Sequence, residues 1–294
     1  MSERTSQFVL DQSYEAVLGR LENAVAAVRR RVNVQPSARV RQWGSAIERL
    51  ARSDVREILL PMVPPLLEGR FESEHQDGFR ALVEARMFIE IVEQLLPDLS
   101  DADLADLISG NVLPGQDHPS SRARDRQFEL FVGAVCRSSG ICVRLEEPDL
   151  SVQVENARYS IAAKRLRSRR KIGKNLRKAT NQIKGAQRPG FIFADVTQLL
   201  DLSGEVITHD SDARRMVEGP MNSLIEGTYG QLFRGNRGPL VRGVVLRVAF
   251  PMMSEGFRFG TFEYWSVGAC GDSYDPEVNR VVAKLLSALG QPQQ

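Results

Sequence analysis

The hydrophobic period of this chain changes part-way along, and that change restricts the fold more than any single motif does. From about Tyr14 to Ile108 the aliphatic residues recur at three- and four-residue spacing, as in Ala16 to Val32 and Phe79 to Leu96, the mark of successive amphipathic helices. Pro36, the Pro61 to Pro65 stretch, Gly69 and Pro97 interrupt the pattern, and Ser100-Asp-Ala-Asp103 reads as a helix start with acids in its first turn. Between Gly110 and Ser121 the composition shifts to Pro, Gly, Asp and Ser, a boundary between two architectures. Beyond it, helical segments at Arg122 to Ser138, Ser168 to Ala186 and Asp212 to Glu226 interleave with short β-rich runs. Those runs are Ile141 to Leu145, Asp149 to Val154, Tyr159 to Lys164, Gly190 to Val196, Val241 to Phe250 and Phe257 to Val267, and Pro276 to Leu289 reads as a closing helix. The expected fold is α/β: an all-helical module over 1–118, then a mixed central sheet flanked by helices over 119–294.

Composition sets outer limits. The 294 residues carry a net charge of only +2, so the chain as a whole predicts no polyanion partner, and any such partner must be met by a local patch. Cys136, Cys142 and Cys270 form no CxxC pair and leave an odd count, which fits a reducing compartment. His75, His118 and His209 are too scattered for a metal or catalytic cluster. With no apolar run near the roughly 20 residues of a membrane span and no secretory signal at the N-terminus, a cytoplasmic protein is expected.

The local patch is easily found. From Asn156 through Ala194 there is no Asp or Glu, while the same segment carries twelve Arg and Lys residues. It follows a hairpin in which Asn156 and Ala157 read as the two loop residues, so that Glu155 pairs with Arg158 and, counting outward, Asp149 faces Lys164. The bland alternative for that pair is a cross-strand salt bridge worth roughly 0.2–1 kcal/mol. On the following helix, at 100° per residue, Ile172, Leu176, Ala179 and Ile183 fall on one stripe and Arg167, Arg170, Lys171, Lys174, Arg177, Lys178 and Lys184 spread over the other side. Asn175 and Gln182 border the two. Such a helix is suited to phosphate contacts that carry little sequence information. Gly227 to Gly230 and Arg234 to Gly238 are glycine-rich but lack the GK[ST] ending of a P-loop.

The order of a helix with Glu129, a strand, a strand opened by Pro148-Asp149, a strand with Ile161-Ala-Ala-Lys164-Arg165, a basic helix ending in Asn181-Gln182-Ile183 and an apolar strand resembles the PD-(D/E)XK nuclease superfamily, over roughly residues 120 to 200. The resemblance implies a restriction-endonuclease-like fold and a metal-dependent endonuclease acting on DNA, double-stranded by expectation, with Mg²⁺ or Mn²⁺ as cofactor. It implies Asp149 and the Ala163 carbonyl as metal ligands, Lys164 orienting the attacking water, Glu129 approaching the metal and Gln182 holding water or phosphate. Arg165, Arg167, Arg170, Lys171, Lys174 and Lys178 would contact nucleic acid. A prokaryotic anti-phage setting, with a homo-oligomer or a defence-system partner protein, is the matching context.

One position departs from the pattern. The acid two residues before the lysine is replaced by Ala162, whose methyl group cannot ligate magnesium. Three accounts of it remain open: a substitution that disables the site, a displaced acid such as Glu129 or Glu147, or a non-catalytic nucleic-acid-binding or adaptor protein that retains the fold.

Overall fold

The computed structural model describes residues 2–9, 14–52, 73–111, 122–200, 210–226, 240–254 and 258–269, with helical residues 280, 281, 283–285 and 287 near the C-terminus. Its elements in chain order are β1 (Ser2–Val9), α1 (Tyr14–Arg29), α2 (Arg39–Arg52), α3 (Ser73–Leu95), α4 (Asp101–Ile108), α5 (Arg122–Ser138), β2 (Cys142–Arg144), β3 (Leu150–Val154) and β4 (Ala157–Arg165). There follow α6 (Ile172–Gly185), β5 (Gly190–Asp195), the short α7 (Thr197–Leu200), α8 (Asp210–Glu226), β6 (Val241–Ser254) and β7 (Arg258–Ala269). The Pro61 to Pro65 and Gly69 breaks, most of the 110–121 boundary, the two glycine-rich loops, His118, His209 and Cys270 lie outside the described residues.

The strands form one mixed sheet in the order β1-β7-β6-β5-β4-β3-β2. β4, β5 and β6 run parallel and the remaining pairs antiparallel. Parallel strands require crossover connections, supplied here by α6 between β4 and β5 and by α7 and α8 between β5 and β6. The expected α/β class with a helix-flanked mixed sheet is therefore present. β1 is a departure: the first segment is an edge strand paired with β7 where an all-helical module was expected.

Each sheet face has its own apolar layer. On one, Ile161, Ala163, Phe191, Phe193, Val245 and Trp265 pack with side chains from α1 to α5. The helices before residue 118 thus share a continuous core with the sheet, and α5, buried along most of its surface, lies between. On the other face, Ala162, Ile192, Ala194, Val244 and Leu246 pack against α6 and α8. The apolar stripe of α6 falls as the projection placed it, with Ile172, Leu176, Ala179 and Ile183 all buried. Gly190 opens β5 where only glycine fits, since a Cβ there would lie 2.3 Å from the Ser160 carbonyl oxygen.

Between α3, α5 and the sheet runs a chain of buried charges. Glu84 takes Arg124 at 2.9 Å and Arg165 at 3.0 Å. Arg165 also reaches Asp195 at 3.3 Å, Arg247 joins Asp195 (3.4 Å) to Glu263 (2.7 Å), and Arg86 approaches Glu263 at 3.7 Å. Burial opposes ionisation of Glu84, but Arg165 and Arg124 outweigh it and hold the carboxyl down to about 2. Such networks often gain little over an apolar core of equal volume, yet losing one partner costs about 3–5 kcal/mol because the other charge is left buried alone.

Candidate functional site

The hairpin turn lies one residue earlier than the sequence suggests. Val154 pairs with Ala157 and Leu150 with Ile161, so the loop residues are Glu155 and Asn156. Glu155 adopts φ +54°, and Ala157 stays in the strand. In this register Ser151 faces Ser160, and the ladder extended outward sets Asp149 against Ala162 where Lys164 was expected. Moving the turn by one residue slides the two strands by two, which preserves the face on which every side chain stands. Asp149 and Lys164 therefore still share a face and meet diagonally.

Their contact is direct. Lys164 Nζ donates to Asp149 Oδ2 at 2.9 Å, and both side chains are largely shielded from solvent. β3 begins at Leu150, and the Asp149 carboxylate takes the next backbone donor of β4: Ala163 N–H donates to Oδ2 at 2.7 Å. Lys164 Nζ also donates to the Ala163 carbonyl at 2.6 Å. From α6, Gln182 Nε2 donates to Asp149 Oδ1 at 3.2 Å and to the Pro148 carbonyl at 3.3 Å. Four sequence-selected residues, Asp149, Ala163, Lys164 and Gln182, thus form one hydrogen-bonded cluster.

Glu129 comes to the same place from α5. Burial, and then the Asp149 charge beside it, push its carboxyl up to about 7 against the opposing pull of Lys164 and Arg126. Arg126, one turn earlier, donates to Glu129 Oε2 at 3.0 Å and to Asp103 Oδ1 at 2.8 Å. Asp103 is itself fixed by the α4 capping box, in which Ser100 Oγ accepts from Asp103 N–H and Asp103 Oδ2 accepts from Ser100 N–H. The helix start visible in the sequence thus anchors the arginine that holds Glu129. Arg126 escaped notice, although its i,i+3 spacing to Glu129 was the available signal.

Asp103, Arg126, Glu129, Asp149, Ala163 and Lys164 line a cleft of about 1030 Å³ bounded by α4, α5, the β2–β3 connection, the end of β4 and the start of α6. Lys171, which immediately precedes α6, and Lys174, Asn175 and Lys178 on it line the cleft at the i, i+3, i+4, i+7 spacing of a single helix face. Arg167 also lines it and donates to Asp125 Oδ1 at 2.8 Å. Arg170 is exposed but is not among the lining residues. Arg165, expected to contact phosphates, is largely buried and ion-paired to Glu84 and Asp195 in the internal network, and it also lines the cleft. Glu147 lines the cleft, while Glu146 bridges Arg158 and Arg188 at 2.7 Å each. Ala162 is fully buried against apolar neighbours.

No family model, curated protein or solved structure matches the chain. Nor is any helix among the described residues long and apolar enough to cross a membrane.

Proposed function

We propose that this cleft binds the phosphodiester backbone of DNA and hydrolyses it with a divalent cation, as a divergent member of the PD-(D/E)XK nucleases on a restriction-endonuclease-like sheet. The observation that carries the reading is the convergence of Asp149, Lys164 and Glu129 on one cleft lined by Lys171, Lys174 and Lys178, with Gln182 hydrogen-bonded to Asp149 from α6. The donor chemistry is that of a hard cation: two carboxylates, Asp149 and Glu129, and the Ala163 carbonyl. Among the described residues no group of three or more His, Cys, Asp or Glu could hold a metal, but magnesium commonly takes one or two carboxylates and fills its other positions with water and phosphate oxygens. When bound, the cation would supply Lewis-acid polarisation of the phosphate and a more acidic water. Lys164 would hold the attacking water or a phosphate oxygen, Gln182 would keep the Asp149 carboxylate oriented, and Glu129 would give up its proton as the site fills.

A second reading is favoured by a specific observation. Ala162 supplies no ligand, and Lys164 Nζ is already shared between Asp149 and the Ala163 carbonyl, an arrangement that also serves to tie β3 to β4 without any chemistry. On this reading the protein binds DNA and does not cut it. Incubating supercoiled plasmid, and in parallel a single-stranded DNA circle, with magnesium or manganese separates the two. Nicking by the unaltered chain that falls at least a hundredfold in Lys164→Met supports the nuclease. Retained salt-sensitive binding, with no nicking by the unaltered chain or by Ala162→Glu, supports the binder.

A further inference from the structure

The charges of the cleft are sorted by side. Its α4–α5 side carries four acids, Asp103, Asp106, Asp125 and Glu129, against two arginines, Arg122 and Arg126. All four acids are paired, Asp106 with Arg122 at 3.1 Å, Asp103 and Glu129 with Arg126, and Asp125 with Arg167 at 2.8 Å from the β4–α6 connection. The α6 side carries Lys171, Lys174 and Lys178 and no acid. These three ammonium groups stand on one stripe whose ends are about 10 Å apart at 1.5 Å per residue. That length matches about three nucleotides of one stacked strand at roughly 3.4 Å each.

We infer that the cleft accepts a single strand of DNA laid along the Lys171–Lys174–Lys178 stripe and discriminates against a duplex, an assignment that rests on the DNA reading of the site given above. A duplex carries two phosphate backbones. If one follows the lysines, the other is set toward Asp103, Asp106 and Asp125, where the cleft-lining arginines are already taken up in ion pairs and no comparable run of cations meets it among the described residues. The volume points the same way, because about 1030 Å³ lies near the upper end for a drug-sized ligand and accommodates a short strand. No aromatic side chain lines the cleft among the described residues, so the strand is held by its phosphates with little stacking on its bases. Binding of this kind is tolerant of sequence and steeply salt-dependent.

The test is fluorescence anisotropy on the full chain in EDTA, with a labelled 12-nucleotide DNA strand and the blunt duplex of the same sequence as probes. The strand should bind at least tenfold more tightly than the duplex. Combining Lys171→Gln, Lys174→Gln and Lys178→Gln should lower the slope of log K against log salt by about 2, at roughly 0.7 per phosphate contact. Combining Asp106→Asn with Asp125→Asn should shrink the preference for the strand several-fold. Equal or tighter duplex binding overturns the single-strand assignment while leaving a DNA site in place. A slope unchanged in the triple lysine variant, with its melting temperature preserved, removes the strand from α6 and overturns the assignment as well. Binding to neither probe overturns the DNA reading and this inference together.

Discussion

Replacing Glu129 with glutamine should stabilise the protein at pH 8 and leave its stability unchanged near pH 4. Burial and the neighbouring Asp149 charge push this carboxyl up to about 7 from its ordinary 4.5, with Lys164 and Arg126 only partly offsetting them. A carboxyl that titrates higher in the folded chain holds its proton more tightly there. Its favourable contribution is therefore fully present below about pH 4.5 and is lost as the pH rises through about 7. The difference between those two values corresponds to about 3 kcal/mol at pH 8. Glutamine keeps the length of the side chain, offers an amide oxygen to Arg126 and never ionises, so it avoids that cost. In a chain of this length about 3 kcal/mol raises Tm by about 6 °C. Glu90, also pushed up to about 7 by burial and the nearby Glu93 charge, titrates in the same window, so the quantity to follow is the variant minus the unaltered protein at each pH. Differential scanning calorimetry from pH 4 to pH 8 measures it. A variant less stable at pH 8 would refute the account and make Glu129 a stabilising ion-pair partner of Arg126, and one that gains equally at pH 4 would refute it by showing that the gain does not come from ionisation.

Two other substitutions probe the scaffold that holds the cleft. Gly190→Ala forces a Cβ to within 2.3 Å of the Ser160 carbonyl oxygen, and backbone cannot yield as a side chain would. It should cost about 3 kcal/mol, the upper end for overpacking, read as a lowered urea midpoint; a loss under about 0.5 kcal/mol would show that β4 and β5 can separate there. Arg165→Met leaves Glu84 with Arg124 and Asp195 with Arg247, each short of one cation, and should cost about 3 kcal/mol in the same assay while leaving the salt dependence of the proposed DNA binding untouched, whereas a residue gripping phosphate would do the reverse.

Much of the site was legible because its spacing is local. Asp149 immediately precedes β3 and Lys164 lies on its hairpin partner β4, and a turn misplaced by one residue still left them on the same face. Gln182 sits on the edge of an apolar stripe that the helical period defines, and it does reach Asp149. The internal ion pairs of Arg165 are not legible, because charge in a sequence carries no record of burial: its partner Glu84 is 81 residues upstream on α3, and Asp195 lies on the parallel neighbour β5. β1 was missed for a different reason. Ser2 through Gln7 holds no aliphatic residue, so there is no alternation to detect, and only the open edge of β7 makes that segment a strand. The α4–α5 side of the cleft was unreadable as a unit, since its residues come from two helices separated by the 110–121 stretch.

The pairing of β1 with β7 has a consequence for how the protein is made. Ser2 is matched to Gly268 and Val9 to Thr261, so β1 is paired, among the described strands, with one that is synthesised about 250 residues later. At roughly 5–20 residues per second, β1 waits on the order of 15–50 s for its partner. An apolar strand left open for that time would recruit other nascent chains, and the polar run from Ser2 to Gln7 gives them little to adhere to. The weak strand signal that hides β1 in the sequence is thus also what protects it during synthesis.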